Sequence, residues 1–183
     1  MNDALHYVIR FLFEIASFLF VARFLLQACR ADFYNPISQG ITKVTDPVLK
    51  PLRAMLPGYK NLDIAAFVAA WLTAMLMLFT LTLIANAYTG SIVALIGQGL
   101  LHVLLLLLSV FKWSILIVIV VSFIAPGNYH PALMLLQQIT EPLLAPARRL
   151  IPALGGIDFS PILIFLVIGI IERLLPTLFQ AVL

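Results

Sequence analysis

Arg10, Glu14, Lys112 and Glu172 are charged side chains set inside stretches of otherwise apolar sequence. A charge at the centre of a bilayer costs about 2.5–3.5 kcal/mol on insertion scales, so it turns to the bundle interior and finds a partner. Arg10, Glu14 and Ser17 share one helical face by their i, i+4, i+7 spacing. Lys112 stands near the middle of one apolar stretch and Glu172 near the middle of another, with Arg173 beside it. Pairing Lys112 with Glu14 or with Glu172 is the economical arrangement. Such a cluster supports two chemistries: a polar path for an ion or proton, or an ion pair that fixes helix register. Four helices leave little room for a pore, which favours the ion pair. Arg23, nearer a helix end, is expected to snorkel towards headgroups.

Other catalytic chemistry finds no foothold. The chain has no P-loop, no H-E-x-x-H, no paired-cysteine metal site and no G-x-S-x-G elbow. His6, His102 and His130 are scattered, and a His pair ligating haem or a metal has no supporting carboxylates nearby. No enzyme activity, cofactor or metal is expected. The single cysteine, Cys29, rules out an internal disulfide and reads as a small apolar filler beside Arg30. Trp71 and Trp113 are expected to pack inside spans.

The elements that must position these residues follow from composition. The chain is 63% hydrophobic and only 10% charged, with a mean hydropathy of +1.10; a soluble domain has about 25% charged residues. From Ile64 through Phe111 there is no Asp, Glu, Lys or Arg. A spanning helix needs about 20 apolar residues, and four stretches qualify: 5–28, 64–86, 100–124 and 160–181. The first carries Arg10, Glu14 and Arg23 and lacks a small-residue cleavage site, so it is expected to be a span and not a signal peptide. The net charge of +3 belongs to residues beside spans, which points to anionic lipid headgroups and not to nucleic acid.

One phrase occurs twice. "TDPVLKPLRAMLP" at 45–57 returns as "TEPLLAPARRLIP" at 140–152, and at this offset of 95 nine of the thirty positions from 34 to 63 are identical. The repeated set includes Thr45, Pro47, Pro51, Pro57 and Asp63 against Thr140, Pro142, Pro146, Pro152 and Asp158, with Asp46 against Glu141. Self-similarity of this kind implies one structural unit used twice. Each unit reads as span, loop, returning span, so the repeats are parallel. The first loop carries Arg30, Lys43, Lys50, Arg53 and Lys60, the second Arg148 and Arg149, while the turn "NAYTGSIVALIGQG" between the halves has no charge. The positive-inside bias places both loops in the cytoplasm and both termini outside.

Within the first loop, advancing 100° per residue from Ile37 places Ile41, Val44, Val48, Leu52 and Met55 between about −20° and +60°, with Lys43, Asp46, Lys50 and Arg53 at about 140° to 240°. The second loop repeats the apolar face with Leu136, Ile139, Leu143 and Ile151. Each loop is expected to form two short helices bent near Pro47 or Pro142. They would lie in the headgroup layer with Lys43, Lys50, Arg53, Arg148 and Arg149 towards lipid phosphates; packing against the protein's own loops is the alternative.

"DFYNPISQGITKVTDPVLKPLRAMLP" and "PLLAPARRLIPALGGIDFSP" resemble the YggT family (YlmG in Gram-positive bacteria), and the likeness covers essentially the whole chain. The first copy departs from the second after its last proline, with "GYKNLD" in place of "ALGGID". The resemblance implies a bacterial inner-membrane protein with four spans and plastid relatives. Members have been linked with division-site or nucleoid organisation, with haem-attachment assembly on cytochrome b6, and with tolerance of osmotic shock. It carries over no catalytic residue. The expectation is an all-α membrane protein with two repeats, 1–88 and 89–183. It would act as a non-enzymatic scaffold or assembly factor with a membrane or cytoplasmic protein partner, and homo-oligomerisation stays open. The alternative is a small transporter or channel-like protein of osmotic or ion homeostasis that uses the Lys112 cluster.

Overall fold

A computed structural model describes residues 2–85, 91–125, 127, 129–150 and 158–182. The described residues form six helices: α1 (Asn2–Ala28), α2 (Pro36–Met55), α3 (Ile64–Ile84), α4 (Ile92–Ile124), α5 (Pro131–Leu150) and α6 (Ser160–Val182). α5 starts and ends 95 residues after α2, the offset of the repeated phrase.

Three of these helices are long and apolar enough to cross a membrane: Ile64–Ile84, Ile92–Ile124 and Ser160–Ala181. The expected first span, α1, is not among them. It has the length, at 27 residues, but Arg10, Glu14 and Arg23 interrupt its apolar run.

The core forms where α1 meets α3. Val21, Leu25 and Leu26 of α1 are buried against a run of alanines in α3: Ala65, Ala66, Ala69, Ala70 and Ala74. Small residues let two backbones approach closely, which is how helices gain contact area in lipid. α4 packs on the other side of α3, and there Gly99 is required: a Cβ would lie 2.6 Å from Met75 Cγ. Trp71 Nε1 donates to the Ile96 carbonyl at 3.0 Å across the same contact. Trp113, by contrast, is largely exposed on α4 and does not pack inside the bundle as expected. α6 lies against α4 and α5, burying Ser160, Pro161 and Ile168 and leaving most of its apolar surface outward.

α2 and α5 are each one helix, not the two short ones expected, although Pro47 and Pro51, and Pro142 and Pro146, lie inside them. A proline removes the hydrogen bond to the carbonyl four residues back. In α2 those carbonyls belong to Lys43 and Pro47, which are exposed. The four-residue spacing puts both losses on one outward side, so the inner ladder continues. Thr45 and Thr140, both buried, donate Oγ1 to the carbonyls of Ile41 and Leu136 at 2.8 and 2.9 Å. Asn35 caps α2 by accepting from the Ile37 amide at 2.9 Å. Pro57 follows the end of α2, whereas Pro152, Ile151 and most of the "ALGGID" turn lie outside the described residues.

Candidate functional site

The repeated phrase builds an arginine clamp at the end of each surface helix. In the first copy Arg53 Nη2 donates to Asp63 Oδ2 at 2.6 Å, and Nη1 stands 3.6 Å from Asp46 Oδ1. Asp63 also caps α3, its Oδ1 accepting from the Ala66 amide at 3.2 Å. One buried carboxylate, 2% exposed, thus ties the end of α2 to the start of the returning helix. In the second copy Arg148 Nη1 donates to Glu141 at 2.8 and 2.9 Å and Nε to Asp158 at 3.0 Å, while Asp158 accepts from the Ser160 amide at 2.9 Å. Burial alone would raise the Asp158 carboxyl, but hydrogen bonds from Ser160 and then Arg148 outweigh it and hold it below the usual value.

Arg53 and Arg148 therefore each hold two carboxylates of the protein, while their side chains stay partly exposed. Lys50 is 3.3 Å from Asp46 but keeps its side chain mostly exposed, and Lys43 and Arg149 are exposed. These three are the outward cations of the set.

Part of the apolar stripe of α2 is uncovered: Val44, Val48 and Met55 are 61%, 46% and 79% exposed, while Ile41 and Leu52 pack against the core. What α2 buries is a neighbouring stripe, Ser38, Thr45 and Leu49. The helix thus rests on the bundle by one edge of its apolar face and leaves Val44, Val48 and Met55 outward. α5 is seated more deeply, with Leu133, Leu135, Ile139, Leu144 and Ala147 buried; of its expected apolar face Ile139 is buried and Leu136 and Leu143 are half-buried, while Ile151 lies outside the described residues.

Within the bundle, Lys112 Nζ donates to both carboxylate oxygens of Glu172 at 2.7 and 2.6 Å, joining α4 to α6. Glu14 instead accepts from Arg10 Nε at 2.8 Å within α1. It lines a cavity of about 380 Å³ with His102, whose Nε2 is buried without a partner. The expected cluster is thus two separate pairs. Arg23 does not snorkel: it is 7% exposed and stacks over Phe33, its Cζ 4.9 Å from the ring centroid. Asp46, Asp63 and Arg53 are the charges that act on it. Nothing in its local sequence signalled this, because the contact forms only when α2 and α3 close over α1.

His130 accepts from the Ala132 amide through Nδ1 at 3.2 Å, an N-terminal cap for α5. Among the described residues no three His, Cys, Asp or Glu side chains gather to hold a metal ion.

The CCB3/YggT family model matches this chain at residues 2–84 and again at 97–179. The chain belongs to that family. An uncharacterized protein of Pseudomonas aeruginosa is 41% identical over 175 residues, covering 95% of this chain and 89% of its own. An uncharacterized protein of Vibrio alginolyticus is 37% identical over 165 residues, covering 90% and 89%. YggT of Escherichia coli K12 is 31% identical over 179 residues, covering 98% and 93%. No solved structure matches. For a CCB3/YggT member, the Arg53 and Arg148 clamps give the doubled phrase a physical role: each anchors its surface helix to the helix that follows.

Proposed function

We propose that this CCB3/YggT member is a non-enzymatic scaffold or assembly factor of the bacterial inner membrane. Its surface helices grip lipid and its bundle holds a protein partner. The observation that carries the reading is the uncovered part of the apolar stripe of α2, Val44, Val48 and Met55, backed by the outward cations Lys43 and Lys50. A helix greasy on one side and basic on the other lies in the headgroup layer.

The membrane frame goes with it. α1 crosses as a fourth span, because its outward residues Val8, Phe11, Leu12, Ile15 and Phe18 are apolar and it runs along α3. The chain is then two parallel units, 1–88 and 89–183, supported by the family match starting at residue 2 and again 95 residues later. The basic loops face the cytoplasm by the positive-inside bias, with both termini outside.

The transporter reading has less support. Lys112 and Glu172 satisfy each other, which suits a clamp between α4 and α6 better than a site that must bind and release.

The test is lipid binding by a peptide covering residues 35–57. It should bind anionic vesicles, become helical there and weaken as salt rises, since each surface Lys or Arg contributes about 1 kcal/mol to binding anionic lipid. Salt-independent binding to neutral vesicles would reassign the stripe to protein packing.

A further inference from the structure

The two copies differ at one place in a way that suggests a ligand. In the first copy Arg23 of α1 fills the space between α1, α2 and α3, nine-tenths buried, with its Nε and Nη1 unpartnered. Ninety-five residues on, that position is Val118, and Phe24 and Gln27 become Ile119 and Ser122. The smaller side chains leave a cavity of about 330 Å³ lined by Val118, Ser122, Phe123, Leu144, Arg148 and Asp158. At about 30 Å³ per water, that is room for roughly ten waters, or for a compact polar headgroup.

The charge balance differs in the same place. The first copy sets three cations, Arg23, Arg53 and Lys50, against two carboxylates, Asp46 and Asp63. The second copy keeps both carboxylates, Glu141 and Asp158, with Arg148 alone between them. Arg149 does not line the cavity. Two cations are missing, at Val118 and Ala145, and of these positions Val118 lines the cavity. Asp158 is also reachable, its side chain 39% exposed where that of Asp63 is 2% exposed.

The position of the cavity selects the source of a cation there. Ser122 and Phe123 are exposed and lie in the last turn of α4, where an apolar helix leaves the bilayer. Below them, Leu116 and Val120 of α4 and Ile162 and Leu166 of α6 are exposed apolar residues that acyl chains can follow.

We propose that this cavity binds the ammonium headgroup of an aminophospholipid such as phosphatidylethanolamine, the ammonium standing where the Arg23 guanidinium stands in the first copy. Asp158, which lines the cavity, accepts from the ammonium, and Arg148 faces the lipid phosphate. The site is separate from the α2 stripe and does not depend on the scaffold reading, because it needs only α4, α5 and α6.

The experiment is lipid competition by native mass spectrometry on the full chain, with ethanolamine, choline and glycerol phospholipids of matched acyl chains. Wild type should retain the ethanolamine lipid over the choline lipid by about tenfold, the discrimination expected of a charge-assisted hydrogen bond that a trimethylated amine cannot make. Val118→Arg, which restores the first copy's arginine, should bring the two lipids within about twofold, as should Asp158→Asn, which leaves the cavity's volume unchanged. Equal retention by wild type would overturn the proposal, as would a preference for the glycerol lipid. An ethanolamine preference that survives both substitutions would place the lipid elsewhere and overturn it too. Stabilisation of wild type by an arginine peptide, without lipid discrimination, would give the cavity to a partner's basic side chain.

Discussion

Lys112 lies twelve residues before the end of α4 at Ile124, and Glu172 twelve residues after the start of α6 at Ser160. At 1.5 Å per residue both stand about 18 Å from the loop-side ends of their helices, and their charged atoms meet at 2.6 Å. The two charges share one depth, and the pair is the polar tie on a helix that otherwise turns mostly outward.

Lys112→Leu should therefore strand the Glu172 carboxylate in a low-dielectric setting. Removing one partner of this part-buried pair is costly, because it leaves the other charge uncompensated. The expected loss is about 1–3 kcal/mol, read as a lower melting temperature in detergent. Adding Glu172→Gln should recover much of it, and adding Glu14→Gln should not, since Glu14 is held by Arg10. Rescue by Glu14→Gln would mean that the pairing is different in the membrane.

The two arginine clamps should differ in weight. Arg53→Ala leaves Asp63, buried at the N-terminus of α3, without its charge partner and should cost about 2–3 kcal/mol. Arg148→Ala breaks pairs whose side chains are all partly exposed and should cost under about 1 kcal/mol. Acid separates them further. Asp158 is held below its usual value, so its contribution is complete above that value, about 3.8, and fades as pH falls through the lower folded one. Melting temperature should drop below about pH 4, and the Arg148→Ala variant should show a smaller part of that drop.

Cys29 should resist alkylation. Burial pushes its thiol up to about 11, and the thiolate is the nucleophile. At neutral pH a maleimide should react far more slowly than with a free thiol, the rate rising about tenfold per pH unit until pH approaches 11. Rapid labelling at pH 7 would show the end of α1 to be open.

Much of the architecture was legible because the signals were local. Pro36 and Pro131 marked the starts of α2 and α5, although Pro47 and Pro142 read as bends and lie inside unbroken helices, and the charge-free run from Ile64 marked α3. The start of α4 was missed. The uncharged stretch 86–99 reads as the turn between the halves and the span as 100–124, yet the chain is helical from Ile92, capped by Ser91, which accepts from the Ala94 amide at 3.2 Å. Gly99 is there for the approach of α3, a tertiary reason that local propensity does not carry. The charges followed the same rule. Arg10 and Glu14 sit four residues apart and their pair could be read from spacing, whereas the choice of Glu172 for Lys112 and the burial of Arg23 depend on how separate helices dock.

The measurement that bears most directly on the lipid-gripping role is depth profiling along α2 in the full-length protein. Nitroxide labels placed singly at Val44, Val48, Lys43 and Lys50 in a Cys29→Ala background, reconstituted in anionic liposomes, would be read by collision with oxygen and with a water-soluble nickel complex. Val44 and Val48 should favour oxygen and lie about 5–10 Å below the phosphates, while Lys43 and Lys50 should favour the nickel complex. Preferential nickel access at all four positions would place the stripe in water and contradict the account.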